Sequence, residues 1–142
     1  MIKIVMGPAC GGKSTYIKNY LQDFVKIDLF DFQEHAFTYE QILKSYEACR
    51  DALKKAITEN ENVVLEHTLL KACRREMYID AIKEITNEDI EIIVIKPNRE
   101  LLKERSSLRG LKYSDEDIDN IFEILEIPTI EEGFSKVTII EE

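Results

Sequence analysis

A short stretch near the start of the chain carries the residue types that bind phosphate groups. Residues 7 to 15 read GPACGGKST and match the pattern G-x-x-x-x-G-K-[ST]. Glycines allow the backbone to approach phosphate oxygens closely, and the amides that open the following helix present partial positive charge to them. Lys13 is predicted to reach the β- and γ-phosphates of ATP, and the Ser14 hydroxyl to ligate Mg²⁺. The predicted nucleotide contacts are Gly7, Ala9, Cys10, Gly11, Gly12, Lys13, Ser14 and Thr15.

Hydrophobic periodicity predicts that strands and helices alternate along the chain. Strands are predicted over residues 2–6, 24–29, 62–66, 90–95 and 136–140, and helices over 13–21, 39–58, 71–85, 98–108 and 114–125. Short apolar strands separated by helices are typical of a parallel sheet covered on both faces. Ligands bind at the carboxyl ends of the strands in such sheets. The loops after Met6, Leu29, Glu66 and Ile95 should therefore share one rim.

The composition predicts a globular chain with an acidic surface. Its 142 residues are 44% hydrophobic and 33% charged, with a net charge of −9, and they suggest one domain spanning 1–142. This charge disfavours a broad nucleic-acid surface, which needs phosphate neutralisation. The basic residues concentrate in two stretches, which predict a local basic cleft suited to a phosphorylated substrate. These residues are Lys71, Arg74, Arg75, Lys96, Arg99, Lys103, Arg105, Arg109 and Lys112.

Other features indicate the cytoplasm as the place of action. No apolar run approaches the ~18 residues that a membrane helix needs. No secretory signal pattern precedes residues 7–15, which we call the phosphate loop. Cys10, Cys49 and Cys73 are widely spaced and form no C-x-x-C pair, so a disulfide framework is not expected. His35 and His67 are the two histidines, too few to favour a structural zinc site.

Several segments, in order, resemble the polynucleotide 5′-kinase family and its small-kinase relatives. Besides the phosphate loop they are KIDLFDF, VVLEHTLLKACRREMY, IIVIKPNRELLKERSSLRGLKYSDEDI and PTIEEGFSKVTII. The resemblance implies an α/β three-layer P-loop NTPase fold with a five-stranded parallel sheet and a helical lid at about 98–114. It also implies a kinase that uses ATP and Mg²⁺ to phosphorylate a hydroxyl group, most often of a nucleoside, nucleotide or polynucleotide 5′ end.

The same resemblance assigns roles to residues on the rim. Asp28 would be the general base that takes the acceptor's proton, with Asp31 as the alternative. Arg105 and Arg109 would be lid arginines that act with Lys13 on the transferred phosphate and contact the nucleotide. The implied acceptor contacts are Asp28, Asp31, Glu66, His67 and Thr68, and the implied metal ligands are Ser14, Asp28 and Glu66.

Two departures from the family pattern keep the acceptor open. Residues 29–35 contain no arginine, which the family uses to grip the acceptor's phosphate, and Glu66 stands where the family has aspartate. One alternative is a kinase of a non-nucleotide small molecule such as a sugar, an antibiotic or a metabolite. Another is an ATP-binding or ATP-hydrolysing regulatory module without an acceptor. A nucleic-acid 5′ end is disfavoured by the net charge, and no membrane partner is predicted.

Overall fold

The computed structural model describes the whole chain, Met1–Glu142. Five strands alternate with five helices. The strands are β1 (Ile2–Met6), β2 (Val25–Asp28), β3 (Val63–His67), β4 (Ile90–Lys96) and β5 (Lys136–Glu141). The helices are α1 (Lys13–Tyr20), α2 (Tyr39–Glu59), α3 (Ala72–Ile85), α4 (Arg99–Leu108) and α5 (Asp115–Ile124). Short 3₁₀ turns cover Leu29–Phe32 and Ile130–Glu132.

Every predicted element is present, and its ends lie within one residue of the prediction. The helix starts have identifiable caps. The Ser114 hydroxyl accepts a hydrogen bond from the Asp117 amide, and the Asp117 carboxylate accepts one from the Ser114 amide, as the Ser-Asp-Glu-Asp sequence predicts. Thr38 and Gln41 form the same reciprocal cap on α2. No helix of the structure has both the length and the apolar character that crossing a membrane requires.

All neighbouring strands are parallel, in the order β2-β3-β1-β4-β5. β1 therefore lies at the centre, and the loop that follows it opens between two neighbouring strands. The register pairs Met6 with His67 on β3 and with Val94 on β4. Asp28 on β2 pairs with Glu66 on β3. The end of β1 and these two acidic residues thus meet at one rim of the sheet.

The two faces of the sheet bury different helices, which produces three layers. Alternate residues of the strands, including Ile4, Leu65 and Ile92, pack against α2 and α3 in the main core. The residues between them, such as Val5 and Ile93, pack against Ile17 and Leu21 beside α1. The predicted α/β three-layer fold is confirmed.

The PTIEEGF segment, residues 128–134, precedes β5 and is fixed to the rest of the fold by an ion pair and a buried ring. The Arg75 side chain is fully buried, and its Nε and Nη2 donate to the two Glu132 carboxylate oxygens at 2.7 and 3.1 Å. The Glu132 carboxylate also accepts from the Thr129 amide at 2.9 Å. Phe134 is buried in the main core. This segment therefore anchors β5 against α3.

Candidate functional site

The phosphate loop is held tightly between β3 and β4. The Gly7 amide donates to the Thr68 carbonyl at 3.3 Å. A Cβ at Gly7 would lie 2.5 Å from the Ile95 carbonyl oxygen, so only glycine fits there. Gly12 has a φ of 106°, a left-handed conformation that suits glycine. The amides of residues 12–15 donate to no backbone carbonyl, as at the start of any helix. Together they form an anion-binding end on α1.

Lys13 lies against the loop that it follows. Its Nζ donates to the carbonyls of Gly7 and Pro8 at 2.9 and 3.0 Å. Burial lowers the pKa of Lys13 from 10.5 to about 8, although the nearby Glu66 and Asp28 carboxylates oppose this shift. The ammonium is therefore a partly desolvated cation, which attracts a phosphate more strongly than an exposed lysine would.

Glu66 connects the loop with the neighbouring strands. The Ser14 hydroxyl donates to Glu66 Oε1 at 2.8 Å. Burial, and next the charge of Asp28, raise the pKa of Glu66, while the Ser14 hydrogen bond opposes the rise. Two carboxylates and a hydroxyl are thus gathered beside the start of α1. These hard oxygen donors are the ligands that Mg²⁺ prefers.

Asp28 is fixed where β2 ends. Its Oδ1 accepts from the Phe30 amide at 3.0 Å, and its Oδ2 lies 3.8 Å from Lys26 Nζ. The carboxylate therefore caps the 3₁₀ turn and also lines the cavity next to the phosphate loop. Asp31 belongs to the same turn but is exposed and lines other cavities, beside Glu34. The turn thus separates the two candidate bases.

A cavity of about 270 Å³ lies between the phosphate loop and the ends of β2 and β3. We call it the acceptor cavity. It brings together most of the predicted site residues. Its walls are Ala9, Cys10, Gly11, Gly12, Lys13, Ser14, Asp28, Leu29, Phe30, Gln33, Glu66, His67, Thr68 and Arg109. Sequence reasoning missed Phe30 and Gln33, although both follow Asp28 closely.

A second cavity, of about 480 Å³, lies on the other side of the loop. Its walls include Gly12 and Thr15 from the loop, Tyr16 and Tyr20 from α1, and Arg105 from α4. The two tyrosine rings lie 4.9 Å apart and present an aromatic surface. We call this the aromatic cavity. Because it shares Cys10, Gly12 and Arg109 with the acceptor cavity, one extended ligand could reach both.

The two predicted lid arginines both lie at the loop. Arg105 Nη1 donates to the Gly11 carbonyl at 2.6 Å, and its Nη2 donates to Glu142 at 2.8 Å. Arg109, the residue after α4, lines both cavities. The loop itself also contacts α4 and α5, because the Cys10 side chain is buried against Leu102 and Ile118.

The predicted basic cleft does not form. Arg75 is buried in its pair with Glu132, Arg99 pairs with Asp119, and Lys103 pairs with Asp115. Lys96 lies 3.8 Å from Glu141. Most of these basic residues lie on helices, so successive side chains point to different sides. Acidic side chains neutralise the charges of most of the nine. Of the nine basic residues, Arg105 and Arg109 line the two cavities at the loop.

His67 and Thr68, both predicted acceptor contacts, differ in accessibility. His67 is 2% exposed, and its Nδ1 accepts from the Leu69 amide at 3.3 Å. Tyr78 donates its hydroxyl proton to the Tyr46 carbonyl, so the His67 Nε2–H must be the donor in its 3.0 Å contact with Tyr78. Burial lowers the pKa of His67 to about 3. Both ring nitrogens are engaged, so His67 positions the turn, whereas Thr68 stays partly accessible at the cavity wall.

Comparisons with solved structures place this site within a shared fold. A sugar kinase from Janibacter sp. HTCC2649, solved unliganded, has a TM-score of 0.72 at 14% identity, over 99% of this chain and 84% of that one. A gluconokinase from Sinorhizobium meliloti 1021 has a TM-score of 0.65 at 19% identity, over 98% and 81%. A structure from the PezAT toxin–antitoxin system of Streptococcus pneumoniae has a TM-score of 0.67 at 14% identity, over 99% and 66%. At these identities the likeness establishes the P-loop kinase fold.

Sequence comparisons define the family. No curated protein sequence matches the chain. A family model described as an AAA domain matches residues 2–121, which include the phosphate loop, Asp28, Glu66, Arg105 and Arg109. Since this match covers most of the chain, the protein belongs to the AAA domain family.

Proposed function

We propose that the protein is an ATP-dependent phosphotransferase that moves the γ-phosphate of ATP to the hydroxyl group of a small molecule. One observation carries the proposal. Lys13 and Ser14 of the phosphate loop share a cavity with the carboxylates of Asp28 and Glu66. Phosphoryl transfer needs a cradle for the phosphates and a group that orients the attacking hydroxyl, and this cavity offers both.

ATP would place its phosphates on the free amides of residues 12–15. Lys13 would exchange its hydrogen bonds to the Gly7 and Pro8 carbonyls for bonds to phosphate oxygens. The base would lie in the aromatic cavity against Tyr16 and Tyr20, since this cavity continues from the loop. A third cavity, lined by Asn98 and Ile127, contains no residue of the phosphate loop and is therefore not expected to hold the base.

The residues present fit a magnesium ion. Mg²⁺ usually takes one or two protein ligands, with phosphate oxygens and water completing its octahedron. Ser14 and Glu66 supply adjacent oxygens, with Asp28 within reach through water; no larger cluster of ligating side chains exists. When bound, the ion would neutralise phosphate charge during transfer.

Asp28 would act as the general base. The Phe30 amide holds its Oδ1, which leaves Oδ2 to accept a proton from the acceptor hydroxyl. Arg105 would release its bonds to Gly11 and Glu142, and together with Arg109 it would neutralise charge on the transferred phosphoryl group. Neutral His67 would keep the β3–α3 turn in place, and Thr68 would contact the acceptor.

Two other functions compete with this proposal. A polynucleotide 5′-kinase, as the sequence resemblance suggests, would need basic residues along a nucleic-acid path, and most of the basic side chains here are paired with acids. An ATP-binding module without an acceptor would leave the Asp28 side of the acceptor cavity without a role. A small-molecule acceptor gives a role to Asp28 and Thr68 on that side of the cavity.

Paired variants test the proposal. Asp28→Asn should lower acceptor-dependent transfer by about 10²–10⁴-fold, because the amide cannot take the proton, while calorimetry should find ATP·Mg²⁺ affinity nearly unchanged. Asp31→Asn is the matched control and should keep full transfer activity. Loss of activity in Asp31→Asn with full activity in Asp28→Asn would overturn the assignment of the base. A wild-type protein that does not bind ATP·Mg²⁺ would overturn the whole proposal.

A further inference from the structure

The acceptor cavity has its cationic groups on one side only. Lys13 and Arg109 are its only cationic side chains, since His67 is neutral, and both belong to the side where ATP would bind. The opposite wall is formed by Asp28, Leu29, Phe30, Gln33 and Thr68. This wall offers a carboxylate, an amide, a hydroxyl and apolar surface. It contains no cation that could hold a phosphate group of the acceptor.

Three basic residues near this wall already have partners. Lys26 does not line the cavity, and its Nζ lies 3.8 Å from Asp28 Oδ2, so its charge is paired with the proposed base. Arg75 is fully buried against Glu132 and the Leu69 carbonyl. Arg74 reaches the Tyr39 hydroxyl at 3.5 Å and lies over the Tyr46 ring. Neither arginine lines the cavity. In a phosphate site, arginine or lysine side chains converge on the phosphate oxygens. The cavity wall opposite the phosphate loop has no such side chains.

Phe30 adds an aromatic ring to this wall of the cavity. It is 79% exposed, yet it lines the cavity, and its amide is bonded to the Asp28 carboxylate. The aromatic ring and the proposed base therefore belong to one short 3₁₀ turn and its cap. A compound that packs on this ring would have its hydroxyl groups presented to Asp28. Gln33, in the same stretch, can both donate and accept hydrogen bonds.

We propose that the acceptor is a small, uncharged polyhydroxyl compound of about the size of a monosaccharide. Its C–H face would pack on the Phe30 ring, and its hydroxyls would bond to Asp28, Gln33 and Thr68. The cavity volume of about 270 Å³, part of which the γ-phosphate would fill, lies just below the usual range for ligand sites of roughly 300–1,000 Å³, which agrees with a small acceptor. This inference rests on the proposed kinase function and specifies its substrate class.

The transfer step balances without a further reactant. The acceptor oxygen forms a bond to the γ-phosphorus, and the bond from this phosphorus to the β–γ bridging oxygen breaks. The electron pair leaves with ADP, and the hydroxyl proton passes to Asp28 and then to water. An acceptor that already carries a phosphate would place a dianion near the Asp28 carboxylate, a like-charge contact that weakens binding by about 100-fold or more.

Matched acceptor pairs test the inference. The assay measures ADP release by the full-length protein with glucose and glucose 6-phosphate, glycerol and glycerol 3-phosphate, and adenosine and AMP, with a 5′-hydroxyl oligonucleotide added. At least one neutral compound should be phosphorylated with kcat/KM about 100-fold above its phosphorylated partner. A kcat/KM for a phosphorylated partner or for the oligonucleotide that equals or exceeds that of the neutral compounds would overturn the inference. So would the absence of turnover with every neutral compound.

Variants identify the contacts. Phe30→Ala should raise the KM for the neutral acceptor about tenfold and leave ATP affinity unchanged. Phe37→Ala is the matched control, because Phe37 is 82% exposed, lies in the same segment and lines none of the cavities at the loop. Gln33→Arg should improve use of glucose 6-phosphate relative to glucose. Unchanged KM in Phe30→Ala would overturn the inference. Calorimetry with ATP·Mg²⁺ separates this result from failure of the kinase proposal, which predicts nucleotide binding for the Phe30, Phe37 and Gln33 variants.

Discussion

Replacing Lys13 with methionine should stabilise the nucleotide-free protein while removing its affinity for ATP. The reason is the cost of burying the ammonium. The pKa of Lys13 is lowered from 10.5 to about 8, with burial as the largest cause. At ~1.36 kcal/mol per pKa unit, the charged form is disfavoured in the folded state by about 3 kcal/mol. Methionine keeps most of the side-chain volume and removes this cost.

The hydrogen bonds of Lys13 reduce the gain. Its Nζ donates to the Gly7 and Pro8 carbonyls, and each bond contributes about 1 kcal/mol net. The Pro8 carbonyl keeps the Gly11 amide as a partner, so its loss is smaller. The net stabilisation should be about 1–2 kcal/mol, which raises the melting temperature of a chain of this length by roughly 3–6 °C.

Urea unfolding at pH 7 with and without ATP·Mg²⁺ measures both effects. Without nucleotide the variant should be the more stable protein. At a nucleotide concentration about 100 times the dissociation constant, the wild type should gain about 2.7 kcal/mol and the variant nothing, so that their order reverses. A nucleotide-free variant that is less stable than the wild type would refute the burial cost.

The pH dependence gives an independent check. Between the folded pKa of about 8 and the unfolded value of 10.5, the unfolded chain binds more protons at Lys13 than the folded chain does. The free energy of unfolding of the wild type should therefore rise with pH across this window, relative to that of Lys13→Met. Below pH 8 the difference between the two proteins should be constant. A difference that stays flat up to pH 10 would contradict the reasoning.

Two further variants concern the buried polar groups that hold the site. Arg75→Met should lower the free energy of unfolding, measured with urea, by about 3–5 kcal/mol, because the mostly buried Glu132 carboxylate loses its partner. The control variant at an exposed site, Lys55→Met, should change this free energy by less than about 0.5 kcal/mol. Tyr78→Phe should cost about 1–3 kcal/mol, since the buried His67 Nε2–H loses its acceptor, whereas exposed Tyr39→Phe should be nearly neutral in the same assay. A loss in the control as large as in its partner would count against either argument.

The elements and the loop could be predicted because their signals are local. The strand at 90–95 is recognisable from its apolar residues alone, and the loop from the spacing of Gly7, Gly12 and Lys13. The capping box at Ser114 likewise depends on residues three positions apart. Such patterns require no knowledge of the tertiary structure.

Features that depend on distant partners could not be predicted. Arg75 reads as a surface residue of a basic helix, and only the fold brings Glu132 to it. His67 is the last residue of β3, a place where ligand-binding residues are expected, yet the rings of Tyr46 and Tyr78 pack against it. Asp28 and Asp31 are equivalent in a linear motif, and the 3₁₀ turn directs them to different cavities. The cavity wall opposite the phosphate loop has no linear pattern, because Thr68 joins it from the turn after β3.

The three cysteines differ in the structural change that exposes them. Cys73 is exposed, Cys10 is buried between the loop and helices α4 and α5, and Cys49 is buried in the main core. Burial also raises the pKa of Cys49 to about 12, which suppresses its reactive thiolate. A thiol reagent would therefore modify Cys73 at once and Cys49 on unfolding. Cys10 would react when α4 and α5 move away from residues 7–15, so its labelling rate would report that movement without any engineered label.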